Sequence, residues 1–291
     1  MKIISYSLFK PKKIYEHRFW DEDRSNPLRY WFNIPSLLIA NKILYPDFLN
    51  VFYVDNETFD SEICELLIDL LADFKIQIRR VNDDYQDHGP ALWRLKPLWQ
   101  DVDILLSRDI DSIPNKEEYK SFVLFEKSTC VVSTIRSHEN HYNYPCRMLI
   151  GLSSFKPNLI EEDIKRHSFP EFRDFYNYDS KRWDNDQLTV INCFTKDEKF
   201  TQDNFLDIRI NNQEFSQDFP CCSLSENDLK SVSISEEKES LFDLVDEYGL
   251  TKWAGQPCDS RGDFLVEVCE TFGYNKVLEK ISNSKLGKFY L

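Results

Sequence analysis

Two carboxylates, Asp109 and Asp111, stand two residues apart at the end of the apolar run Val102-Asp103-Ile104-Leu105-Leu106-Ser107-Arg108 and are followed by Ser112 and a turn at Pro114. Open α/β sheets place ligands at the carboxyl ends of their strands. Hard divalent ions such as Mg²⁺ and Mn²⁺ take oxygen ligands and bridge one or two carboxylates to substrate phosphates. The pair therefore predicts a metal-assisted reaction on a phosphorylated donor. The bland reading is a solvated strand end running into an Asp-Ser turn.

Such a pair needs a framework that fixes it, and the preceding sequence supplies one. Lys2–Phe9 reads as a strand, Tyr30–Leu44 as a helix with Pro35 near its start, and Asn50–Asp55 as a short strand. Ser61–Phe74 has the spacing of an amphipathic helix, Lys75–Val81 that of a strand, and Pro90–Trp99 that of a helix opened by its proline. After the carboxylates, Asn115 with Glu118 forms a capping-box pattern before a helix over Glu117–Lys127, and Cys130–Arg136 is a further strand. Strands alternating with helices predict an α/β fold with a mostly parallel central sheet flanked by helices. Beyond Arg136 the pattern loosens. Met148–Phe155 reads as a strand broken by Gly151, Asp184–Phe194 as a helix and Phe205–Ile210 as a strand. Ser231–Glu239 reads as a polar, acidic surface segment and Gly262–Ser282 as a closing helix or helix pair. The expectation is a single domain over 1–291, with a donor-binding half at 1–136 and an acceptor-side half with C-terminal helices at 137–291.

Composition narrows the function classes. A chain of 291 residues with 42% hydrophobic and 14% aromatic residues has the makings of a sizeable core. A net charge of −14 excludes the broad basic surface that nucleic-acid binding requires. No stretch approaches the ~20 apolar residues of a transmembrane helix. The opening Met1–Ser7 enters a strand-like segment without the apolar core of a signal peptide. The eight cysteines form no Cys-x-x-Cys pair, which fits reduced thiols and a cytoplasmic location.

With these elements in place, Trp93-Arg94-Leu95-Lys96-Pro97-Leu98 followed by the Arg-Asp-x-Asp-Ser core at 108–112 resembles the central motif of the GT-A-fold glycosyltransferases. Three ordered segments extend the resemblance. They are Met148-Leu149-Ile150-Gly151-Leu152, similar to a glycine-containing strand beside the acceptor; Trp183-Asp184-Asn185-Asp186-Gln187, similar to an Asp-Gln segment opening a helix under the sugar; and Trp253-Ala254-Gly255-Gln256-Pro257, similar to a loop that closes over the diphosphate. Together they span about Lys2 to Asp259 and imply a GT-A-like, Rossmann-like fold and a hexosyl- or pentosyltransferase. The donor would be a nucleotide-diphosphate sugar, the acceptor a glycan hydroxyl, and the cofactor Mn²⁺ or Mg²⁺.

The resemblance also assigns roles. Asp111 is implied as the main metal ligand, and Asp109 touches the donor ribose or the metal through water. Arg94 lies near the donor phosphates or sugar, with surface pairing to a nearby acid as the plain alternative. Arg108 and Gly255 are counted with the donor-binding residues, and Ser5 and Tyr6 match where the family grips the nucleotide base. Asp186 and Asp184 are the catalytic candidates, since an inverting transfer needs a carboxylate base; helix capping is their plain alternative. The chain departs from the family in lacking a histidine in Trp253–Pro257, which leaves Cys258, Asp259 or water as a third metal ligand. Lys252 and Arg261 are further cations near the diphosphate. His138 and His141 have a spacing that could hold zinc, but their flanks read as a polar loop at the acceptor-side rim. Trp183 and Trp253 are the two tryptophans singled out as glycan contacts. The competing readings are a haloacid-dehalogenase-type phosphatase with Asp109 as nucleophile, and an inactive nucleotide- or glycan-binding module.

Overall fold

The computed structural model describes residues 1–9, 31–82, 89–138, 149–160, 205–209, 222–224 and 226–291. Its centre is an eight-stranded sheet. β1 (Lys2–Leu8) pairs in parallel with β2 (Leu49–Val54) on one side and with β4 (Ile104–Arg108) on the other, and β2 pairs in parallel with β3 (Ile76–Arg80). Beyond β4 lie β6 (Leu152–Phe155), β5 (Val132–Arg136), β7 (Phe205–Arg209) and β8 (Cys222–Leu224), in that spatial order. Among the described strands only β6 runs against its neighbours, antiparallel to both β4 and β5. The mostly parallel α/β sheet is the expected one. The reversed strand was not foreseen, because its register is set by a long-range insertion between β4 and β5.

The strands read as continuous apolar or small-residue runs because both faces are covered. All five residues of β4 and of β5 are buried. One face carries Ile4, Tyr6, Leu8, Phe52, Val54, Ile104 and Leu106. It is covered by α1 (Ile34–Leu44), α3 (Glu62–Asp69) and α4 (Lys116–Lys127), after the short α2 (Asn56–Phe59), and by helices from the far end of the chain. The opposite face carries Ile3, Val51, Tyr53 and Leu105 and is covered by Leu92, Trp93, Leu95 and Leu98.

Those last four residues belong to Gly89–Trp99, which winds as 3-10 turns rather than the expected α-helix. Pro97 lacks the N–H that an α-helical ladder would require inside the segment, and tighter turns tolerate the gap. Over Ser61–Phe74 the true helix ends at Asp69, and Leu70–Phe74 continue as turns. In the capping box, Asn115 accepts the Glu118 N–H at 2.9 Å, but the Glu118 carboxylate turns inward to Arg108 instead of returning to the cap.

The C-terminal part corrects a second expectation. Ser231–Glu239 is not a surface segment throughout: Val232 is buried, and α6 (Glu236–Glu247), which follows α5 (Glu226–Lys230), begins within it. The acidic first turn suits the positive end of the helix dipole. Past it, Leu241, Phe242, Leu244 and Val245 enter the same core as α1. The closing helix pair is α7 (Asp263–Thr271) and α8 (Asn275–Asn283), followed by a terminal turn α9 (Gly287–Tyr290). Among the described residues four cysteines, Cys64, Cys130, Cys258 and Cys269, are free thiols, as expected. No helix among the described residues is long and apolar enough to cross a membrane.

Candidate functional site

The site is built at the carboxyl edge of the sheet, where β4 ends in Arg108 and the chain turns through Asp109, Ile110 and Asp111. Because β6 is antiparallel, its first residues lie at this same edge, as does the end of β5. Strand alternation sends Arg108 and Asp109 to opposite faces. Arg108 drops onto the helix-covered face and Asp109 onto the face beneath the 3-10 segment.

Asp109 is held from two sides. The buried guanidinium of Arg94 donates from Nη1 to Asp109 Oδ1 and to the Arg108 carbonyl at 3.4 Å. The segment carrying Arg94 is itself fastened to the end of β1: the Arg94 N–H donates to Ser7 Oγ at 3.0 Å, and Ser7 Oγ donates to the Ala91 carbonyl at 3.1 Å. On the other side Asp109 packs against Gly151, the residue before β6, where an added Cβ would overlap the carboxylate. The glycine that the sequence marks as a break in the strand is thus the slot that admits Asp109. Arg94 is buried within the 3-10 segment rather than at the surface, and the acid it pairs with is the site carboxylate itself.

Asp111 is half-buried and is secured through its backbone: its carbonyl accepts the Cys258 N–H at 2.9 Å. Residues 253–258 therefore form a strap across the strand ends. One end of the strap is fixed where Ala254 N–H donates to Ser137 Oγ at 2.9 Å, just past β5. Its middle turns at Gly255, whose φ of +75° is the left-handed conformation that glycine adopts readily, and packs on Leu152 of β6. Its other end is held by Asn33, fully buried before α1, which donates from Nδ2 to the Cys258 carbonyl at 2.9 Å. Asn33 Oδ1 accepts from the Ser260 N–H at 3.0 Å and from Ser260 Oγ at 2.8 Å, while Ser36 Oγ donates to the Ser260 carbonyl at 2.9 Å. Sequence reasoning missed Asn33, Ser36, Ser137 and Ser260. Asn33 has the look of an ordinary helix cap, yet its side chain makes no cap hydrogen bond and serves the strap some 225 residues away.

Three expected donor contacts are corrected by burial. Tyr6 is fully buried on the helix-covered face, its ring stacked on Phe52 at 5.1 Å and its hydroxyl accepting from Asn41 Nδ2 at 2.7 Å. Burial, eased only partly by Asn41, raises its pKa, and it is a core residue rather than a base contact. Ser5 is also fully buried, in register with Ser107 of β4. Neither hydroxyl has a hydrogen-bond partner among the described residues. Arg108 is a staple. Its Nε donates to Glu118 Oε1 at 2.5 Å, and its Nη1 to the Ser107 and Ser153 carbonyls at 2.9 and 2.8 Å, with both ionic partners buried. Desolvation raises the Glu118 pKa, and the Arg108 charge and hydrogen bond oppose that rise.

The candidates for a third metal ligand are committed elsewhere. Asp259 is gripped by Arg261, whose Nε lies at 2.8 Å and Nη2 at 2.5 Å; that hydrogen bonding holds the carboxyl below its ordinary value. Burial pushes the Cys258 thiol up to about 12, against a backbone hydrogen bond with Ile113. The Arg261 guanidinium also lies over the Phe32 ring at 3.4 Å. Lys252 is exposed, its N–H donating to Gln256 Oε1 at 2.5 Å. Among the described residues no group of three or more His, Cys, Asp and Glu is gathered as a metal-binding set. The His138 ring lies against the Trp253 ring. Trp183, Asp184, Asp186 and His141 lie outside the described residues.

No family model and no curated protein matches the chain. Among solved structures, S. aureus TarS residues 1–349 is similar at 12% identity and a TM-score of 0.42, covering 66% of this chain and 55% of that one, little more than half its length. The same protein in complex with UDP-GlcNAc is similar at 12% identity and a TM-score of 0.43, covering 98% of this chain and 68% of that one. The 4-diphosphocytidyl-2C-methyl-D-erythritol synthase from Anaerococcus prevotii is similar at 12% identity and a TM-score of 0.37, covering 79% of this chain and 95% of that one. The α/β architecture stands on the strand order described above.

Proposed function

We propose that the protein is a metal-dependent glycosyltransferase that moves a sugar from a nucleotide-diphosphate sugar to a glycan hydroxyl. The observation that carries this reading is the strand-end pair itself. Asp109 is locked between Arg94 and Gly151, and Asp111 is tied by its backbone to a strap that crosses the edge where a ligand would sit.

The donor set suits a hard divalent cation, which needs only one or two carboxylates when substrate phosphates complete its shell. Asp111 is the principal ligand in this reading, because the Arg94 guanidinium already offsets the Asp109 charge. When bound, Mn²⁺ or Mg²⁺ supplies charge neutralisation at the departing diphosphate. Asp109, fixed in orientation between Arg94 and Gly151, accepts hydrogen bonds from the donor ribose. Arg94 keeps that carboxylate from turning away. Gly255 and Asn33 shape the strap that covers the diphosphate. Asp186, with Asp184 beside it, is the carboxylate base that takes the acceptor proton if the transfer inverts the anomeric centre.

The phosphatase alternative asks Asp109 to attack phosphorus, a poor fit for a carboxylate already engaged by a buried guanidinium. Phosphate release from a simple phosphomonoester that depended on Asp109 would reinstate it. The direct test is calorimetric titration with UDP and GDP, with and without Mn²⁺. Binding is expected only with the metal, lost in Asp111→Ala and weakened in Asp109→Asn. Absence of binding by any nucleoside diphosphate in the presence of Mn²⁺ rejects the reading.

A further inference from the structure

The carboxyl edge carries an aromatic pair in which Trp253 opens the strap and His138 has no part in the donor reading. The Trp253 and His138 rings lie with centroids 4.2 Å apart and planes inclined by 32°. Both residues are half-buried. Their pairing is set from below: the buried Ala254–Ser137 hydrogen bond joins the residue after Trp253 to the residue before His138. Ala254 is fully buried in a cluster with Ile135 and Leu152, so its methyl group closes the core at this point. The indole stands beside that core with the imidazole as its ring partner.

The pair is connected to the carboxylates through a short series of contacts. Gly255 packs on Leu152, and the preceding Gly151 packs on Asp109. In the sheet, β5, whose end carries Ser137 and His138, is two strands from β4. Two strand spacings amount to ~10 Å, so the end of β5 stands about that far along the edge from the end of β4.

We propose that Trp253 and His138 form the platform that receives the acceptor, with a pyranose ring of the glycan stacked on the indole. The identity of the ligand as acceptor rests on the transferase reading. An aromatic face offers a large, rigid apolar surface to the C–H face of a sugar at low entropic cost, and the indole N–H adds a donor for a hydroxyl. A net charge of −14 favours a neutral pyranose over an anionic one. His138 is a positioning residue: it sets the tilt of the indole.

The proposal is tested by fluorine NMR on full-length protein labelled with 5-fluorotryptophan, with the Trp253 resonance assigned by Trp253→Phe. UDP and GDP with Mn²⁺ are added first, then cellotetraose, maltotetraose and chitotetraose separately. The expected result is a saturable shift of the Trp253 resonance with at least one tetrasaccharide. Saccharide binding followed by calorimetry is lost in Trp253→Ala and weakened about 2- to 10-fold in His138→Ala, the worth of an aromatic pair. Nucleotide binding measured by calorimetry should stay unchanged in His138→Ala, which lies outside the strap. If a nucleotide binds but Trp253 answers no saccharide, or answers the nucleotide alone, the platform is overturned and the transferase reading stands. If a saccharide binds at Trp253 while no nucleotide binds, the platform is supported and the transferase reading falls. Silence toward all of them overturns both.

Discussion

Gly151→Ala isolates the packing that fixes Asp109. Gly151 is not among the positive-φ glycines, so alanine carries no backbone penalty there and the cost is steric. The new Cβ would lie 2.8 Å from Asp109 Oδ1 and closer still to the other two heavy atoms of the carboxyl group. Two routes relieve the overlap. The start of β6 can recoil, at the ~1–3 kcal/mol typical of overpacking. Alternatively Asp109 can swing out and leave Arg94. The Arg94 side chain is 8% exposed and that of Asp109 44%. The loss therefore lies between that of a fully buried pair and that of a surface one, about 1–2 kcal/mol after discounting for solvent. The cheaper route wins, so the expected loss is about 1–2 kcal/mol, or roughly 2–6 °C in Tm. Urea denaturation of the wild type, Gly151→Ala, Asp109→Ala and the double variant closes a thermodynamic cycle. With Asp109 truncated the space is vacant, and the alanine should then cost no more than ~0.5 kcal/mol, leaving a coupling of about 1–2 kcal/mol. Additivity within ~0.5 kcal/mol would mean that Gly151 does not hold Asp109 and would refute the argument.

Other variants test the remaining joints. Asn33→Ala strands the Ser260 N–H and the Cys258 carbonyl; with buried orphans at ~1–3 kcal/mol each, it should destabilise the protein by about 2–4 kcal/mol and speed hydrogen exchange at Ala254 and Cys258. Unchanged exchange there would show that the strap is held by other contacts. Tyr6→Phe should cost about 1 kcal/mol by losing the Asn41 bond while leaving nucleotide affinity intact; a large affinity loss would restore Tyr6 as a ligand contact. Glu118 carries a pH signature. Its folded-state pKa is raised above the ordinary 4.5 chiefly by burial, so its stabilising contribution is complete below that pH and declines as pH rises through the folded value. The stability advantage of wild type over Glu118→Gln should therefore narrow from about pH 4 toward pH 7, and a gap that widens over that range would contradict it.

Much of the fold was legible because the relevant signals are local. The buried parallel strands β1, β2 and β4 announce themselves as short apolar runs, and α3 and α4 by periodicity and the Asn115 cap. The 3-10 character of Gly89–Trp99 was not legible, because helical periodicity over a few turns does not separate the two windings once a proline interrupts the ladder. The helix at Glu236–Glu247 was half hidden because its acidic first turn looks like solvent-facing chain until the buried Leu241 and Phe242 are included.

At the site, the division follows the range of the interactions. Sequence alone determined that two carboxylates close the strand ending at Arg108, since residue type and spacing are properties of the chain. It also marked Arg94, Gly151 and the 253–257 segment as companions. Only the tertiary structure decided what each of them does. Neighbouring residues Arg108 and Asp109 differ by one position in a strand and so face opposite sides, one becoming a buried staple with Glu118 and the other the site carboxylate held by Arg94. Ser5 and Tyr6 were expected to meet the ligand from the first strand, but both lie within β1 and are fully buried. The strap depends on Asn33 and Ser260, a contact 227 residues apart, and its aromatic end on His138 meeting Trp253. Contacts at that separation leave no local periodicity, so they exist only once the chain has folded.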